Sequence, residues 1–167
     1  MEFQVVKDLI QSLAESIGVT IIRAEQGGKQ PDSPYGSYKA ITKNNGNYGY
    51  QNEIEIEDPT KYKEEFSRKE EFSVSLSFIS IVSSDDLWSL ADQAFDYLNV
   101  LSRERKQELE IAVEMLNTVS DRTVYLDPIY EYKVGFDIRV KGLGRLERTI
   151  DAVDIEGSVS GVGVNVE

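Results

Sequence analysis

A chain of 167 residues, 40% hydrophobic and 29% charged, has the size and make-up of one globular domain with a core of its own. It has no cysteine and no histidine, which excludes disulfides, thiol chemistry, serine–histidine relays and histidine-bearing zinc sites. The formal charge of −12 argues against a surface that grips nucleic acid by its phosphates, no apolar run approaches the ~20 residues of a membrane span, and Met1-Glu2-Phe3-Gln4 does not open a secretory signal.

Phe3, Val6, Leu9, Ile10, Leu13 and Ile17 recur at helical spacing, and Gly18 supplies a left-handed stop. Val19 to Ile22 reads as a short β-branched strand. Arg23 then leads into a loop rich in Gly, Gln and Pro that runs through Pro31-Asp32-Ser33-Pro34. Tyr38, Ala40 and Ile41 suggest a second strand, and Asn44-Asn45-Gly46-Asn47 reads as a hairpin tip. Gln51 to Glu57 alternates acids with Ile54 and Ile56, as a strand with one wet face or an exposed edge does. Asp58 to Lys69, charged and carrying Pro59, reads as a surface connection with room for one helical turn.

The centre of the chain is Glu70 to Leu101. Phe72, Val74, Leu76 and Phe78 alternate with Ser73, Ser75 and Ser77, which predicts a strand with one buried face. At Ile79 and Ile81 the phase slips, so the strand is bulged there or covered on both sides. Ser83-Ser84-Asp85-Asp86 starts a helix, and Leu87, Leu90, Ala91, Ala94, Phe95, Leu98 and Leu101 follow on one of its faces. The aromatic strand face and the leucine helix face are expected to cover each other.

Ser102 can cap a further helix whose face is Leu109, Ala112, Val113 and Leu116, either continuous with the preceding one or broken near Ser102-Arg103. Thr118 to Leu126 suggests a short strand. Tyr130 to Val140 alternates over its whole length and is the cleanest strand signal. Gly142-Leu143-Gly144 reads as a turn, with Glu147 to Glu156 returning as an antiparallel partner. The order predicts an α+β fold, mostly antiparallel sheet with helices packed on one face, with residues 1–157 as one domain and 158–167 as a Gly-rich tail.

Carboxylates are the only plentiful reactive groups. Asp151, Asp154 and Glu156 with Glu53 or Glu55 could gather around a divalent cation, as in a metal-dependent hydrolase, although such loose spacings also arise by chance among 30 acids. Gly27-Gly28-Lys29 and Gly142-Leu143-Gly144 lack the form of a phosphate or dinucleotide loop. Of nine tyrosines, Tyr35, Tyr38, Tyr48 and Tyr50 cluster in a loop-rich region, where they serve either a protein interface or the edge of the core.

Ile21-Ile22-Arg23-Ala24, Gln26-Gly27 and Pro31-Asp32-Ser33-Pro34-Tyr35-Gly36-Ser37-Tyr38 resemble the early segment of phage tail terminator, or neck terminator, proteins. Tyr132-Lys133-Val134-Gly135-Phe136-Asp137-Ile138-Arg139 resembles the family's late strand. The resemblance implies a non-enzymatic virion component without cofactor, assembled in the host cytoplasm. It implies a homo-oligomer, a hexameric ring that sits on the tail tube protein, ends tube growth and meets the head-tail connector protein while DNA passes through. Another small head-tail joining or tail-tube-related protein is the nearest alternative. On this reading Arg23, Pro34, Tyr35, Tyr38, Tyr48 and Tyr50 are candidates for a subunit or ring interface. Glu53, Glu55, Glu57, Asp151, Asp154 and Glu156 are candidates for a DNA-repelling lumen, where an acidic lining lets the genome slide.

Overall fold

A computed structural model describes residues 1–25, 27, 29–55, 61–126 and 129–151, with 50–55, 129 and 151 described by their backbone alone. In chain order the elements are α1 (Phe3–Ile17), β1 (Ile21–Arg23), β2 (Tyr35–Asn45), β3 (Gly49–Glu55), β4 (Lys61–Ser80), α2 (Asp85–Asp96), a π-helical turn (Tyr97–Leu101), α3 (Arg103–Glu108), β5 (Ala112–Met115), β6 (Ser120–Asp121), β7 (Val124–Leu126) and β8 (Ile129–Asp151). They form two compact units, Met1–Asn47 with Arg68–Gly144, and Tyr48–Ser67 with the stretch from Arg145 onward.

The fold is α+β. The eight strands follow the order β1-β2-β4-β8-β5, with β3 on β4 and β6 and β7 on β8. The β1–β2 pair is parallel, and β2 and β3 on β4 and β5, β6 and β7 on β8 are antiparallel.

In the first unit the expected strand-on-helix core is present. Phe72, Val74, Leu76 and Phe78 of β4 join Val134, Phe136, Ile138 and Val140 of β8 in one buried cluster with Val6, Leu9, Ile10 and Leu13 of α1 and Leu87, Ala91, Ala94 and Leu98. Burying each large side chain contributes about 1.5–3 kcal/mol, so this layer dominates the stability of the unit. Phe3 packs on Phe72 at 5.5 Å between ring centroids and Phe95 meets Phe136 edge-on at 5.3 Å, fixing one helix to each central strand. Gly18, at φ 67°, ends α1 in the left-handed conformation. Ser77, Phe78, Ile79 and Ser80 are all buried, so the strand end is covered on both sides at Ile79, whereas Ile81 lies beyond the strand and is exposed.

Five expectations are corrected. Asn44–Asn47 is no hairpin tip: β2 and β3 do not pair with each other but with successive stretches of β4, Asn45 opposite Glu70 and Gly49 opposite Ser67. Residues 61–69 are no surface connection; they are the first half of β4, a strand of 20 residues. Leu109, Ala112, Val113 and Leu116 share no helix face, because α3 stops at Glu108 and Ala112–Met115 adds to the edge of β8 as β5, with Val113 opposite Val140.

Gly142–Gly144 makes no turn, and no returning strand follows it among the described residues, since β8 runs on to Asp151. The glycine there supplies clearance: a Cβ on Gly144 would stand 2.5 Å from Glu70 Oε1. Leu101 is not on the buried face either. The wide turn at Tyr97–Leu101 shifts the helical phase, keeping Leu98 buried and leaving Leu101 70% exposed.

In the second unit, Glu53, Ile54 and Glu55 of β3 stand opposite Glu64, Lys63 and Tyr62 of β4. Arg148 of β8 pairs with Glu64 and lies over the Phe66 ring at 5.5 Å, and Lys63 meets Glu147 at 2.6 Å. Glu64 and Glu147 are therefore each matched by a cation within the same unit.

Candidate assembly surfaces

Strand alternation puts Ser73, Ser75 and Asp137 on the side of the sheet away from the helices, and the side chains there form a polar face. Arg122, from the connection after β6, sends Nη1 to Ser75 Oγ at 2.8 Å and to Asp137 Oδ1 at 3.0 Å. Asn117 Nδ2 donates to Asp137 Oδ2 at 2.7 Å, and the Asp137 N–H donates back to Asn117 Oδ1 at 2.7 Å. Partial burial alone would raise the Asp137 carboxyl; hydrogen bonds from Ser75, Arg122 and Asn117 outweigh it and hold the group below its ordinary value. Gly135 of β8 lies close against β4, and a Cβ there would stand 2.1 Å from Leu76 O. Further along, Glu114 takes Arg139 at 3.2 Å and Lys141 at 2.9 Å, which lowers its pKa. This face is charged yet internally compensated.

A second polar centre lies within the first unit. Glu70 is 3% exposed and receives Arg68 at 2.6 Å, the Met1 ammonium at 2.5 Å and Lys43 at 3.5 Å. Burial works to raise this carboxyl, and bonds from the Met1 ammonium and Arg68 lower it further than burial raises it. It borders a cavity of about 460 Å³ lined also by Lys69, Lys106, Glu110 and Lys141. The Lys106 ammonium is directed at the carbonyls of Leu98 and Asn99, 3.0 and 3.2 Å away, and burial lowers its pKa. Lys106 thus ties α3 back to the π-helical turn, and the Met1 ammonium ties the start of the chain to β4. Among the described residues no three His, Cys, Asp or Glu side chains gather as a metal site.

The candidate interface residues separate. Tyr35 and Tyr38 are each 6% exposed, with burial raising both phenol pKa values, so their rings belong to this chain's own interior and leave no area for a neighbour. Their positions on β2, with Tyr38 opposite Leu76, place them against the central strand. Arg23 is exposed and lies over the Phe3 ring at 4.8 Å; Pro34 is exposed and follows a cis peptide bond; Tyr48 is 40% exposed. Tyr50, Glu53 and Glu55 lie on β3 and Asp151 ends β8, with side chains outside the described residues, and Glu57, Asp154 and Glu156 fall outside them altogether, as does the 158–167 tail. The metal-cluster alternative rests on the same positions.

Sequence reasoning missed the exposed apolar groups. Ile81 and Val82 follow β4 at 66% and 79% exposure, with Trp88 at 40% on the neighbouring turn of α2. Val100 and Leu101, at 63% and 70%, mark the other end of that helical run. Val124, Tyr125, Leu126 and Tyr130 form a third group on the β7–β8 pair, where Tyr125 and Tyr130 lie 4.8 Å apart and Tyr130 stacks on Tyr132 at 6.1 Å. The signal was available at Ile81-Val82, where apolar residues continue past the strand without a period.

The described residues form a mixed α+β fold with a compensated polar sheet face and apolar side chains left outside on separate elements. The chain belongs to the phage neck terminator protein family, whose family model matches residues 4–163. It is thus of a kind with structural components of the phage virion, associated there with other virion proteins. No curated protein matches the chain. Among the described residues no helix is long and apolar enough to cross a membrane.

Proposed function

We propose that the protein caps the phage tail tube, ends its polymerisation and joins the finished tail to the head connector, working as a hexameric ring through which DNA passes. The family match over residues 4–163 carries this reading. The exposed apolar groups support it. A ring is closed by heterologous contacts, which need two unlike patches on each subunit, and a subunit set between a tube and a connector needs further surface for each. Tyr48, Arg23 and Pro34 remain exposed and serve the subunit or ring contacts, whereas Tyr35 and Tyr38 serve the core. The protein acts by shape and charge and carries no reacting group; in the host cytoplasm it is an assembly factor and in the particle it is part of the neck.

The lumen is lined by some of Glu53, Glu55, Glu57, Asp151, Asp154 and Glu156, and their charge keeps the genome from adhering. The defining experiment is electron microscopy of particles made without the protein. Tails of uncontrolled length that fail to join heads are expected; tails of normal length joined to heads would overturn the reading. Reversing the six acids to lysine should leave rings intact and lower infectivity, and unchanged infectivity would remove the lumen assignment.

A further inference from the structure

The helical run from α2 through the π-helical turn ends in two unlike surfaces. At its start stand Ile81 and Val82, 66% and 79% exposed, and the exposed carboxylate of Asp86, which has no cation in ion-pair reach among the described residues. At the far end stand Val100 and Leu101, 63% and 70% exposed, followed by the exposed Arg103, which likewise has no carboxylate in reach among the described residues. Lys106, 3.2 Å from Asn99 O, places a second positive centre next to Val100; Arg105 is already engaged by Glu108 at 2.9 Å, and Glu104 offsets only part of the positive charge.

At about 1.5 Å per residue the two ends lie roughly 25–30 Å apart along the run, far enough that one subunit cannot bring them together. We infer that the Ile81–Val82 end of one copy docks on the Val100–Leu101 end of the next, with Asp86 set opposite Arg103, so that α2 with the π-helical turn is the strut of a head-to-tail ring. The occupant of each end is a second copy of this chain. The first end presents an apolar pair beside two exposed acids, Asp85 and Asp86, and the second an apolar pair beside Arg103 and Lys106 with Glu104 offsetting part of their charge, so the two ends are of opposite sign and the chain carries both halves of the contact. Unlike patches joined in this way make a heterologous contact, the kind that closes a ring. This assignment rests on the ring reading above and specifies which surfaces close it.

The test uses the lack of cysteine in the chain. Val82→Cys and Leu101→Cys are made singly and together in the full-length protein, built into tails and oxidised. A disulfide forms only where Cα atoms come within about 4.4–6.8 Å. The double variant should give a ladder of linked subunits up to the ring number, a mixture of the two single variants should give dimers and no larger species, and each single variant alone should give none. Dimers from Val82→Cys alone would show a two-fold contact and overturn the inference. So would the absence of links in tails that carry the double variant at wild-type occupancy; rings seen by microscopy in those tails would leave the ring reading standing.

A tail without any ring would instead remove the ring reading itself. Should cysteine at these exposed positions impair folding, charge exchange gives an independent readout. Asp86→Arg should lower incorporation into tails by about threefold to fivefold. Adding Arg103→Asp should restore it, and failure of the double exchange to restore it would overturn the pairing.

Discussion

Nη1 of Arg122 stands 3.0 Å from Oδ1 of Asp137, an ion pair between the connection after β6 and the middle of β8. Because Arg122 also reaches Ser75 at 2.8 Å, one guanidinium ties a connecting segment to both central strands. The Asp137 carboxyl is held below its ordinary value of 3.8, so its contribution to stability is fully present above that pH and is lost as pH falls through the lower native value. Asp137→Asn should cost about 1–3 kcal/mol at pH 7 in urea unfolding. The gap from wild type should narrow below pH 3.8; an equal gap at both pH values would sink the assignment.

Gly135→Ala places a methyl 2.1 Å from Leu76 O and 2.8 Å from Ser77 Cα, so β8 must move away from β4. The expected loss is about 3 kcal/mol or more, beyond ordinary overpacking because backbone, not side chain, is struck. Gly27→Ala, with nothing within 4 Å of the added carbon, is the matched control and should change the urea midpoint little.

The π-helical turn sets Leu98 and Leu101, three residues apart, at 0% and 70% exposure. Leu98→Ala should cost about 2–5 kcal/mol, and Leu101→Ala should stay within about 0.5 kcal/mol in the isolated subunit. Equal losses would mean that the helix keeps α phase through Leu101.

Tyr38 and Tyr48 come from the same cluster and should behave in opposite ways. Tyr38→Ala removes a buried ring and should lower the unfolding midpoint sharply, whereas Tyr48→Ala should leave it nearly unchanged and reduce incorporation into tails. Melting curves and tail occupancy measured side by side decide this; a large melting shift from Tyr48→Ala would move that residue out of the interface.

The first unit was legible wherever one period ran long enough. Val6, Leu9, Ile10 and Leu13, the Phe72–Phe78 alternation and the Tyr130–Val140 alternation all reached their expected elements because burial on one face dictates the period. Local signals failed where tertiary pairing decides. Asn44–Asn47 carries turn residues, yet both flanking strands find β4. Val113 and Met115 alternate with Ala112 and Glu114, a strand period that the helix-like spacing of Leu109 and Leu116 obscured until the open edge of β8 settled it. Glycine at 144 marks close approach, which sequence cannot distinguish from a turn. Of the site, the class of protein was readable through the resemblance. Which tyrosines face outward was not, because a ring suited to an interface is equally suited to the rim of a core.

The wide turn at Tyr97–Leu101 amounts to one residue of slack wound into an otherwise regular rod. Deleting a single residue there would let i→i+5 bonding relax to i→i+4 and leave the α3 cations aimed much as before. The same deletion within α2 has no slack to draw on and would swing everything after it by about 100° and draw it in by about 1.5 Å. The turn is therefore a place where the rod can change length without re-aiming its far end.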